Sequence, residues 1–167
     1  MENKTKDLTL IAVLAVIIAI SGTFKVPGII PGTEFQMSAP IAIAICATFG
    51  FKKYITAGIL ASVLNLLMGT HTVLNVIVAM VFRIVAGGTI SAFGRNILVI
   101  SIAGPIGTFV GRIVMSAIVG TPVSALVAAA VPGMIYTALT SYIVYRAMDK
   151  TMRYTPYKNK VIPKEVN

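Results

Sequence analysis

Tryptophan is missing from this 167-residue chain, and cysteine and histidine occur once each, as Cys46 and His71. A single cysteine excludes an internal disulfide and any cysteine-based metal cluster. A metal site needs several ligands, and no Cys, His or carboxylate lies beside His71, so no metal is expected. Acidic residues number only five, four of them near chain segments rich in Lys and Arg. Hydrolytic or transferase chemistry needs paired carboxylates, a metal cluster or a nucleophile with its base; none is present, and the chain does not read as an enzyme. It also lacks a Gly-rich loop ending in Lys-Ser/Thr, so it has no means of cradling and hydrolysing ATP. Charged residues make up 11% of the chain, against about 25% in soluble domains. That scarcity excludes a soluble globule, a disordered chain and a coiled coil.

What is abundant is apolar: 57% of the residues. Length and breaker signals divide them into six runs, at residues 8–24, 35–51, 54–68, 72–93, 97–119 and 122–145. The expectation is one all-α integral membrane domain over 1–167, with six transmembrane helices and a basic tail over 146–167. The third run is short for a hydrocarbon core of about 30 Å. A cleaved signal peptide is the alternative for the first run, with Ala19-Ile20-Ser21 as its cleavage site. An uncleaved span is simpler, because the chain downstream is itself apolar. The formal charge of +9 does not point to nucleic acid, since it sits in short caps between apolar runs rather than on one surface. With the N-terminus inside, eleven of the fourteen Lys and Arg residues fall on the inner side and only Lys25 outside. This bias predicts cytoplasmic N- and C-termini. The tail reads as a solvated anchor facing lipid headgroups.

Polar residues within lipid are costly and default to function. Arg83 lies near the middle of the fourth run and Arg112 in the outer half of the fifth. Each is open to two readings, a ligand contact or a structural role, bonding helix-end carbonyls or snorkelling to a surface, for which Arg83 sits deep. The polar groups Glu34, Gln36, Ser38, Asn65, His71, Asn75 and Arg112 gather toward the outer ends, while the inner half is almost pure Ala, Val, Ile and Leu. This asymmetry predicts a pocket open to the outside and no continuous pore. The apolar Pro/Gly-rich loop from Lys25 to Glu34 reads as a lid, or as backbone packed on helices. Glu34 either pairs with a cation or favours the start of the second span. Pro132-Gly133, near Tyr136, interrupts the last run and either frees a carbonyl toward the pocket or kinks the helix. Tyr136, Tyr142, Phe24 and Phe35 remain available to stack on a flat ring. Ala12, Ala15 and Ala19 form a small-residue stripe of the kind that lets a partner helix approach. Gly107-x-x-x-Gly111 reads instead as packing within the chain.

Together these features resemble the substrate-binding S component of an energy-coupling factor (ECF) vitamin transporter. The resemblance rests on six spans in this length, the Ala15-x-x-x-Ala19 pair, the loop from Phe24 through Glu34-Phe-Gln-Met-Ser-Ala-Pro40, and the Gly50-Phe51-Lys-Lys turn. It covers nearly the whole chain. It implies a plasma-membrane protein that binds one small vitamin or precursor from outside. It also implies docking, through the Ala12, Ala15 and Ala19 stripe, on a membrane coupling subunit driven by two cytoplasmic ATPases. The chain itself would need no cofactor, ATP being used by those partners. Glu34, Gln36, Asn65, His71, Asn75, Arg112 and Tyr136 become the pocket candidates. The chain looks most like the branch for an α-ribazole or dimethylbenzimidazole precursor of cobalamin; riboflavin, thiamine, pyridoxine and pantothenate are the other solutes. The rival reading is a stand-alone ion-coupled permease, which would need a titratable group deep in the membrane.

Overall fold

The computed structural model describes residues 2–27, 34–36 and 38–163, with side chains for 4–24 and 38–163. Six helices follow one another: α1 (Glu2–Thr23), α2 (Ser38–Phe49), α3 (Phe51–Leu67), α4 (Val73–Phe93), α5 (Ile97–Val119) and α6 (Val123–Met152). Between α1 and α2 the chain forms a two-stranded ribbon, β1 (Lys25–Pro27) and β2 (Glu34–Gln36). The strands are antiparallel with Val26 opposite Phe35, and β2 lies against α6. The helical expectation therefore holds with this ribbon added.

Helix ends follow local chemistry. Thr72 Oγ1 accepts the Asn75 N–H at 3.3 Å and starts α4, and Asn96 Oδ1 accepts the Val99 N–H at 2.8 Å and starts α5. Gly120 closes α5 in the left-handed conformation, φ +77°, which glycine adopts without a Cβ penalty.

Four helices, α1, α4, α5 and α6, are long and apolar enough to cross a membrane. The run read as a span over 35–51 is a different object. Residues 34–36 are drawn into the ribbon, and α2 keeps only 12 residues, about 18 Å of helix. Nine of its residues, Pro40 and 42–49, are buried, and it touches α1, α3, α4, α5 and α6. A helix apolar on every side is one surrounded by protein, so α2 is the central post of the bundle.

Glycines set the close approaches. A Cβ on Gly107 would lie 3.1 Å from Ala86 Cβ and from the Phe82 carbonyl, and Gly111 faces Val78. The Gly107-x-x-x-Gly111 pair is thus the seam between α5 and α4, as internal packing requires. Gly104 gives α5 access to Thr137 of α6 and Ile43 of α2, which a Cβ would strike.

Helix α6, 30 residues long, continues through Pro132. The tail read as a solvated anchor is folded back on the bundle as far as residue 163. Helix α6 runs on to Met152, and Arg153 grips Asp149 with two hydrogen bonds of 2.9 Å. The chain then doubles back, with a single 3-10 turn at Lys158–Lys160, and buries Val161. Residues beyond 163 lie outside the described set.

Candidate functional site

The end of the bundle opposite the returning tail is assembled around Asn65, in the last turns of α3. Its backbone carbonyl accepts the N–H groups of Thr70 (3.0 Å) and His71 (3.2 Å) and the Thr70 hydroxyl (3.0 Å). The turn from Gly69 to Thr72 is therefore wound onto this residue. Asn65 is only 2% exposed, yet its Oδ1 has no hydrogen-bond partner among the described residues. An unpaired buried amide oxygen costs about 1–3 kcal/mol.

Opposite it stands Gly22 of α1. A Cβ there would sit 3.4 Å from Asn65 Nδ2 and 3.6 Å from His71 Cε1. The amide of α3 and the imidazole of the following turn thus converge on bare backbone of α1. On α1 and the start of α2, Ile17, Ile20, Ser21, Phe24 and Ile41 line a separate apolar groove of about 300 Å³. The hydrogen-bonding groups at this end are therefore Asn65 and His71, and neither is among the residues that line the groove.

The structure brings Asn65 and His71 together. Asn75 contributes its backbone N–H to the α4 cap, and its side chain is exposed. Arg112 is half-buried on α5, with Nη1 3.3 Å from Met115 Sδ. Tyr136 is half-buried on α6. Glu34 and Gln36 belong to β2, and their side chains lie outside those described. Gly22 was not anticipated, because its meaning comes from two residues more than forty positions away.

Arg83 binds a side chain of α3 rather than a helix-end carbonyl. It is buried in the seam between α4 and α3, where Nη1 donates to Ser62 Oγ at 2.6 Å. Gly58 makes the space, since a Cβ there would lie 2.7 Å from Arg83 Nε. One turn lower, Tyr54 is fully buried, and its hydroxyl has no partner among the described residues.

The alanine stripe divides between two faces of α1. Ala15 and Ala19 are 2% and 6% exposed on the side of α1 that packs on α3, where Ala57 and Ala61 are also buried. Small residues bring these two helices of one chain together, as they would bring a partner. Ala12 is exposed, and it shares the outer face of α1 with Val13, Val16, Ile17 and Ile20.

Compared with known proteins, the chain is 46% identical over 144 residues to Protein BioX of Lysinibacillus sphaericus, covering 86% of this chain and 87% of that one. No family model and no solved structure matches it.

Proposed function

The chain belongs to the BioX family, and on that premise we propose that it is the substrate-binding S component of an ECF-type importer for a biotin-related vitamin or precursor. The relative's name favours biotin chemistry over the α-ribazole type that the sequence resembles, and the remaining vitamins lose ground with it. In this reading the protein is one domain of the plasma membrane. The end carrying Lys53, Arg95, Arg153 and Lys160 faces the cytoplasm by the positive-inside rule. The solute enters at the opposite end. A membrane coupling subunit and two cytoplasmic ATPases supply the driving force, and the chain performs no chemistry. Docking on the coupling subunit falls to the exposed face of α1 that includes Ala12.

The observation that carries the reading is the unsatisfied Asn65 Oδ1, buried beside His71 and Gly22 at the outer end. It is an acceptor waiting for a donor, and the ureido N–H groups of biotin are donors. Arg112 and Tyr136 are the further contacts proposed, with Glu34 and Gln36 from the ribbon.

Titration calorimetry on the purified protein tests this. Biotin should bind and α-ribazole should not. Asn65→Ala should weaken binding about tenfold, the worth of one buried hydrogen bond. Binding of α-ribazole alone, or an unchanged affinity in Asn65→Ala, would overturn the assignment. Solute accumulation by vesicles holding this chain alone would replace it with the ion-coupled permease.

A further inference from the structure

We infer that segment 155–163 is a latch across the basic end of the bundle, and that its release opens the cleft beneath Ile162. The argument begins with the length of α6. Its last turns carry the chain beyond the apolar core, and Thr155 turns it back by donating its hydroxyl to the Met152 carbonyl at 2.8 Å. The returning strand is then bound by nearly every element that ends there. The Ile162 N–H donates to the Thr48 carbonyl at the end of α2, at 2.9 Å. Lys160 Nζ donates to Asp7 Oδ2 of α1 at 2.9 Å, while Lys53 of α3 donates to the Lys160 carbonyl at 3.3 Å. Arg95, between α4 and α5, donates to the carbonyls of Ile162 (3.4 Å) and Pro163 (2.6 Å). Arg153 adds a 3.3 Å bond to Ile162.

The chemistry of these ties is that of a reversible closure. One, Lys160 to the half-exposed Asp7 carboxylate, is an ion pair that salt screens, and most of the others join a cation to a backbone carbonyl, bonds that water can replace once the strand lifts. The apolar anchor is small. Val161 is buried, and Ile162 Cδ1 would lie 3.3 Å from a Cβ on Gly50, so bare backbone at the α2–α3 turn seats it. Behind Ile162 lies a cleft of about 260 Å³ between Cys46, Phe51, Ile90 and Gly94. Removing nine residues of chain would open this cleft without breaking a helix. Helix α2 joins the two ends, beginning just after the ribbon and finishing at the Thr48 carbonyl that the latch holds. The structural statement stands alone. The further role, holding the inner end shut while the outer site loads, rests on the transport reading.

Cys46 supplies the probe. It is the sole cysteine, is 2% exposed and lines the cleft. The full-length protein in lipid nanodiscs is treated with N-ethylmaleimide and its modification rate followed by mass spectrometry. A chain ended at Tyr157 should react about tenfold faster or more, the behaviour of a segment that opens locally. If the shortened chain does not fold, Ile162→Ala with Arg95→Gln makes the same test in a full-length chain whose helices are untouched. Raising the ionic strength should accelerate the parent protein and leave the latchless variants unchanged. A rate within about twofold of the parent in a folded variant overturns the latch, because no local opening has then been added. Biotin titrated into the same samples separates the two ideas. Faster labelling with parent affinity supports both, whereas faster labelling with no binding even in the parent sinks the transport reading and keeps the latch.

Discussion

At residue scale, the site and the scaffold are separated by two glycines. Gly22→Ala would set a methyl group in ordinary contact with Asn65 (3.4 Å) and His71 (3.6 Å), so solute affinity should fall severalfold while the melting temperature stays close to the parent's. Calorimetry with a parallel melting curve checks this, and an unchanged affinity would move Gly22 out of the site. Gly58→Ala is the opposite case. Its Cβ would press on Arg83, displacing the hydrogen bond to Ser62, and overpacking of this kind costs about 1–3 kcal/mol. A lowered melting temperature with solute affinity retained is the expected outcome. Asn65 and His71 were legible in the sequence because polar groups stand out against apolar runs. Gly22 was not, because a glycine at the end of a span carries no mark of what faces it.

At the scale of elements, the edges of α4 and α5 were readable to within one residue, since Thr72, Gly94, Asn96 and Gly120 punctuate them by local rules. Helix α2 was not. Composition reports that a segment avoids water, and it is silent on whether lipid or protein replaces the water. The same blindness applies to rotation. Both faces of α1 are apolar, so nothing in the residues says that Ala15 and Ala19 turn toward α3 and Ala12 away from it. Packing between helices supplies the prediction here. Gly104→Ala sets a Cβ against Thr137 and Ile43 and should destabilise by about 1–3 kcal/mol. Gly88→Ala, which meets no atom within 4 Å, should be nearly neutral. Thermal unfolding of the two variants in one detergent decides the matter, and equal melting temperatures would contradict the packing described.

At the scale of the whole molecule, charge is the organising feature. Lys53, Arg95, Arg153 and Lys160 meet at the end where the returning strand lies, and the polar pair Asn65 and His71 sits at the other. In a Cys46→Ala background, Thr70→Cys should react with an impermeant maleimide on intact cells, and Lys158→Cys only after lysis. The reverse pattern would invert the protein. The basic tail was visible in the sequence. Its return was not, because the carbonyls that hold it are backbone groups common to every residue.

The encasement of α2 carries a consequence for biogenesis. A helix about 18 Å long is a poor resident of a bilayer about 30 Å thick until its neighbours arrive, and its most extensive neighbour, α6, is the last to leave the ribosome. Nascent chains halted before residue 123 should therefore remain unfinished at the translocation machinery and be cleared by quality-control proteases.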